Sequence, residues 1–280
     1  MAQTSFSLLQ LLIGLILAVI ISMASYRIGF LSGSGAIAAG VLGTIVFGLG
    51  GFSWALVLLG FFISSSGLSK FFNKRKQKVG EKFAKSSRRD VWQVMANGGL
   101  AGVFVLLHRF FPDQTWTWLA FSGTLAAVNA DTWATEIGVL SRQKPVHLIS
   151  GKKAEPGTSG AVSLLGISAS TAAALFIAVL SVLFFPKGLI PSGGGFRMTT
   201  IVAVTAAGVL GSLVDSFLGA TVQAMFYCGH CDKETEKHPV HICGNSTTFL
   251  RGWKWMNNDC VNGICSLAGA VTMLLAYFIR

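Results

Sequence analysis

The sequence is short of charge. Only 12% of its 280 residues are Asp, Glu, Lys or Arg, while 52% are hydrophobic; a soluble domain carries about 25% charged residues. That shortage excludes an ordinary water-soluble domain, a disordered chain and a disulfide-stapled secreted module. Acids are the scarcest charges, 11 against 22 Lys and Arg, for a net charge of +11. None of them precedes Glu81. No GxxxxGK[ST] phosphate loop is present. The first apolar run has neither a basic lead-in nor a small-residue cleavage site, so it reads as a retained helix and not a signal peptide.

What fills the chain is long apolar runs. A bilayer core of about 30 Å needs roughly 20 apolar residues per helix. Runs of that kind fall near 6–26, 30–50, 52–69, 92–111, 116–140, 160–185, 198–226 and 259–279. They predict an all-α, polytopic membrane protein of about eight helices, seven to nine by soft boundaries, forming one integral-membrane domain over 1–280. With the N-terminus outside, Arg27 and the linkers 70–90, 141–158 and 227–257 hold 18 of the 22 basic residues. The positive-inside rule then puts those linkers in the cytoplasm. The basic run 70–89 reads as a topology signal and an anionic-lipid contact, with no nucleic acid as partner. Trp92, Trp253 and Trp255 fall at the inner interface on this reading, and Trp116 and Trp118 at the outer one.

The polar residues in or beside the spans are the informative ones. They gather at the inner ends of spans four to eight, leaving spans one to three as scaffold. In NADTWATEIG (129–138), Asn129, Thr132 and Glu136 share one helical stripe, and Asp131 and Thr135 another. Two carboxylates beside hydrocarbon must be paired, hydrated or bound to a cation; a buried network that locks helices together is the alternative. In GKKAEPGTSGAVSLLG (151–166), Lys152 and Lys153 precede a Gly157-Thr158-Ser159-Gly160 turn at a helix start. That is an anion site or, equally well, an ordinary cap with positive-inside lysines. In GVLGSLVDSFLGATVQ (208–223), Gly208, Gly211, Asp215 and Gly219 lie on one face beside Ser212. Small residues there admit a close neighbour, and the lone acid faces something cationic. NNDCVNGICS (257–266) brings Asn258, Asp259 and Asn262 to the start of the last span, with Asn97 within reach from span four.

The loop 227–257 differs in kind. Cys228-x2-Cys231 followed by His241 and Cys243 suits a closed, tetrahedral, structural zinc site, with His238 as a substitute ligand. Its cytoplasmic placement disfavours a disulfide. Elsewhere, carboxylates and asparagines can hold Mg²⁺, and Mg²⁺ with lysines can hold a polyphosphate. A nucleotide entering from water and an apolar chain lying between helices would meet at such a face. An ion-coupled transporter is the competing class, and a lipid-phosphate cytidylyltransferase needs the same groups as a kinase.

NADTWATEIG, PGTSGAVSLLG, GSLVDSFLGA and the NND-x2-N segment together resemble the integral-membrane family of transmembrane protein 19 and the phytyl-phosphate kinases. The resemblance implies transfer of a phosphoryl group from an NTP, CTP in particular, to a prenyl monophosphate such as phytyl phosphate. Its products feed tocopherol and related side-chain metabolism. On this resemblance Asp131, Glu136 and Asp215 are catalytic, with Asp131 and Asp215 holding Mg²⁺. Lys152, Lys153 and the 157–160 turn hold nucleotide phosphates. Asn97, Asn129, Thr132, Ser212, Asn258, Asp259 and Asn262 complete the binding wall.

Overall fold

The computed structural model describes residues 7–76, 88–189 and 195–279. Most of the basic loop 70–90 and Arg280 lie outside the described residues. Eight long helices run through the described chain, α1 (Leu8–Arg27), α2 (Gly33–Gly50), α3 (Phe52–Lys76), α4 (Val91–Phe110), α5 (Thr115–Gly138), α6 (Leu164–Leu183), α7 (Phe196–Thr221) and α8 (Asn258–Phe278). Polar side chains cap the helix starts. Ser7, Ser32, Asp90, Ser163 and Asn257 each accept a backbone N–H at a helix start, satisfying donors that hydrocarbon could not.

Seven of these helices are long and apolar enough to cross a membrane. The eighth, α5, does not reach that apolarity because it has little lipid to face. It packs against α3, α4, α6, α7 and α8, and nearly every residue from Thr115 to Ala130 is buried. A helix wrapped by protein can carry threonines, serines and asparagine where a lipid-facing one cannot. The contrast with α1 is sharp: Leu8, Leu9 and Ile20 of that peripheral helix are more than half exposed, as a lipid-facing surface requires.

Packing against α5 depends on small residues. A Cβ at Gly208 would press on Ala126 and Ala174, and one at Gly211 on Ala127. The glycine stripe of α7 is therefore a helix-packing seam, and Asp215 continues it one turn beyond, into a cavity. At the other end of the bundle Trp54, Trp118 and Phe121 close on one another with ring centroids 4.8–5.6 Å apart. Trp118 is thus core and not an interface residue, whereas Trp92, Trp253 and Trp255 are exposed as an aromatic belt would be.

Two small sheets decorate one end. β1 (Val146–His147) pairs antiparallel with β2 (Ala161–Val162) in the α5–α6 connection. β3 (Met225–Cys228) lies between β4 (Lys233–Thr235) and β5 (Thr248–Arg251) in the α7–α8 connection.

Candidate active site

The C-terminal ends of α3, α5 and α7 and the starts of α4, α6 and α8 meet at one end of the bundle around an open cavity of about 690 Å³. Alternating helix direction is what gathers them, since each inner end is a chain neighbour of a loop on that side. Asn97, Asp131, Thr132, Glu136, Gly157, Thr158, Ser159, Gly160, Ser212, Asp215, Asn258, Asp259 and Asn262 all line it.

Three carboxylates come together. Asp131 of α5 and Glu236 of the α7–α8 connection are the acidic groups that act on Asp215. Asp215 Oδ2 is shielded from solvent and has no hydrogen-bond partner among the described residues. Like charges this close cannot all stay ionised without a proton or a cation between them. The carboxylates and the amides of Asn258 and Asn262 line the same cavity, and oxygen donors are the type that Mg²⁺ takes.

The same cavity holds a cation that the sequence had hidden in a basic run. Arg89 is buried and lines the cavity. Its backbone is tied to the α1–α2 turn, donating to Phe30 O at 3.0 Å and accepting from Ser32 N at 3.0 Å. Gly35 makes this possible, because any side chain there would overlap the Arg89 carbonyl. Burial lowers the Arg89 pKa to about 10, opposed by the attraction of Glu136, so the guanidinium stays charged at neutral pH. Glu136 also accepts from Ser69 Oγ of α3 at 2.7 Å.

Asn97 reaches the cavity through a π-turn, Met95–Gly99, within α4, a distortion that recurs at functional sites. Its Nδ2 donates to Gln93 O at 2.8 Å. The 157–160 turn is held against α7: Ser159 Oγ donates to Gln223 Oε1 at 2.9 Å, and Gln223 Nε2 donates to Glu236 Oε1 at 2.9 Å. Gly160 has φ +79°, and a Cβ there would collide with Ala220. Helix α6 begins four residues later, at Leu164 behind its Ser163 cap, so the turn feeds β2 and the Ser163 cap, and not the helix directly.

Some expected residues lie elsewhere. Lys152 and Lys153 are exposed and do not line the cavity. Lys153 pairs with Val146 across a reverse turn with Gly151 at φ +63°, which carries both lysines outward. Asn129 is fully buried within the bundle, where it donates to Ala173 O at 3.1 Å and accepts from Ser64 Oγ at 3.1 Å. It ties α5 to α6 and α3 and does not line the cavity. The residues that the sequence reading passed over are Arg89, Ser69, Gln93, Gln223, Glu236 and Lys237, all of them lining residues.

The α7–α8 connection is built around its own cluster. Ligand atoms of Cys228, Cys231, His241 and Cys243 all lie within 4.8 Å of one another, a group that could hold a metal ion. The soft thiolate and imidazole donors suit zinc. Hydrogen bonds from Asn245 and His241 lower the Cys243 pKa to about 5, favouring the thiolate. His238 instead stacks on Phe226 with centroids 4.3 Å apart. β3 and β4 pair antiparallel beside the cluster, and the chain leaving β4 brings Glu236 and Lys237 to the cavity.

Fold and cavity define a polytopic helical membrane protein with an acid-lined, cation-flanked polar site at one end of the bundle. The chain belongs to the family described as integral membrane protein DUF92, which matches residues 16–270. It is 30% identical over 276 residues to Protein PGR of Arabidopsis thaliana, covering 92% of this chain and 93% of that one. It is 28% identical over 223 residues to an uncharacterized membrane protein of Methanocaldococcus jannaschii, covering 78% and 85%. Protein VTE6, chloroplastic, of Arabidopsis thaliana is 27% identical over 256 residues, covering 89% of this chain and 66% of that protein. No solved structure matches the chain.

Proposed function

We propose that the chain is a membrane-embedded phosphotransferase that moves a phosphoryl group from an NTP, CTP in particular, to a prenyl monophosphate such as phytyl phosphate. The observation that carries this reading is one cavity, at a polar end of the bundle, lined by Asp131, Asp215 and Glu236 together with Arg89 and Lys237. The family's resemblance to phytyl-phosphate kinases supports the substrate class. The excess of basic residues on this end supports a cytoplasmic orientation.

Phosphoryl transfer asks the protein mainly for positioning and charge neutralisation. Asp131, Asp215 and Glu236, with Asn258, Asp259 and Asn262 of the same cavity, would hold Mg²⁺, which would offset the negative charge of the phosphates. Arg89 and Lys237 would hold the acceptor and donor phosphates, and the 157–160 turn offers backbone N–H groups to the same anions. A lipid phosphate oxygen then attacks the terminal phosphorus of the NTP. One P–O bond forms, the bond to the leaving diphosphate breaks, and NDP departs with its electron pair. The attacking phosphate is already anionic, so no general base is needed. The Cys/His cluster would hold structural zinc, its four protein ligands leaving no open position for chemistry.

Purified protein in detergent, given Mg²⁺, phytyl or geranylgeranyl monophosphate and each NTP in turn, tests this by mass spectrometry of the products. Prenyl diphosphate with NDP is the expected outcome. A CDP-lipid with pyrophosphate would move the assignment to nucleotidyl transfer on the same residues. Absence of product from folded protein would leave the transporter as the reading to test.

A further inference from the structure

A second cavity adjoins the first. It is a narrow, partly open cleft of about 70 Å³ among α1, α2, α3 and α4, walled by apolar side chains including Leu42, Phe47, Leu58 and Phe61. Arg89 and Asn97 line both cavities. Arg89 spans the seam: its guanidinium carbon lies 5.4 Å from the centre of the Phe61 ring, which faces the cleft, while Glu136 attracts it from the polar side. From Ala39 to Phe47 the lining follows α2 away from the polar end, about 12 Å of helix rise. A fixed cation at the mouth of an apolar cleft at bilayer depth matches an amphiphile with a phosphate head and a hydrocarbon tail.

We infer that the α1–α4 cleft receives the first isoprene unit of the prenyl monophosphate, the rest of the tail lying outside it, while Arg89 and Asn97 hold the phosphate at the seam. This rests on the phosphotransferase reading for the identity of the head group, and it gives α1–α3 a substrate-binding task in place of a purely supporting one. A water-soluble phosphate would leave the cleft unused.

The test is photolabelling of the full chain in lipid nanodiscs with geranylgeranyl monophosphate carrying a diazirine on its first isoprene unit. The expected labels fall on peptides containing Ala18–Ser25 or Leu58–Phe62 and are competed by unlabelled geranylgeranyl monophosphate. Ala39→Phe, which narrows the cleft, lowers labelling about tenfold, the scale of a hydrophobic pocket refusing its occupant. Ile37→Phe, on the lipid-facing side of the same helix, leaves it unchanged. Should Ala39→Phe fail to run as a folded species on size exclusion, Ser22→Leu on α1 fills the same cleft. Labels on α6 or α7, equal labelling of the narrowed and control variants, or displacement by phosphatidic acid instead of the prenyl phosphate would overturn the inference. The two readings separate cleanly. Cleft labelling without turnover keeps the tail site and removes phosphoryl transfer; turnover with labels elsewhere does the reverse.

Discussion

Asp215 and Arg89 show how differently two charged residues can be disguised. Asp215 stands alone in an apolar helix, where a carboxylate is costly and therefore conspicuous. Arg89 ends a run of nine basic residues over 70–90, where one more positive charge carries no signal. Only the backbone bonds to Phe30 and Ser32 distinguish it. Replacing Asp215 by Asn removes a charge from the triad and keeps its shape. Turnover should fall at least a hundredfold, about 2.7 kcal/mol of transition-state stabilisation, with an unchanged melting temperature or a slightly raised one, since like-charge repulsion is relieved. Arg89→Lys keeps the charge and loses the planar fork. It should raise KM for the prenyl phosphate more than it lowers kcat; steady-state kinetics with each substrate varied in turn would check the split.

The Cys/His segment decides where Glu236 and Lys237 sit. Chelation, or Cys228→Ser, should release one equivalent of metal, lower the melting temperature and reduce turnover together, because the same fold delivers Glu236 to Asp215. Metal content by inductively coupled plasma spectrometry beside an activity assay would check it. Full activity after the metal is lost would mean that the metal is not needed to hold Glu236 and Lys237 at the cavity. Gly160 makes a narrower case: φ +79° and the proximity of Ala220 leave no room for a side chain. Gly160→Ala should cost about 2 kcal/mol or more in stability, read as a fall in melting temperature. These elements also mark what a sequence can disclose. The Cys/His set was legible because four candidate ligands lie within 16 residues, a local spacing with chemical meaning. The outward path of Lys152 and Lys153 was not, since nearness to a glycine turn does not fix which way a reverse turn points. Glu236 and Lys237 were invisible for the complementary reason: nothing local marks them, and a tertiary cluster carries them to the cavity.

Across the whole molecule, hydropathy located the helices well wherever they face lipid and lost strength at α5, where burial in protein substitutes for apolarity. That helix carries Asp131 and Glu136, so its path governs the topology and the site alike. Its 24 residues span about 36 Å at 1.5 Å per residue, enough to cross the hydrocarbon with some tilt. If all eight helices cross, both ends of the chain lie on the side opposite the cavity; if α5 re-enters, they lie on opposite sides. Alkaline phosphatase fused beyond Phe278, in a bacterial inner membrane, should therefore be active, and a green fluorescent protein at the same point dark. The same reporters fused in the α5–α6 connection after Arg142 should behave in reverse, because that connection lies at the cavity end where the basic residues accumulate. The inverted result, fluorescence beyond Phe278 and phosphatase activity after Arg142 with the N-terminus still outside, would make α5 re-entrant; fluorescence at both points would mean that one of the three later helices does not cross.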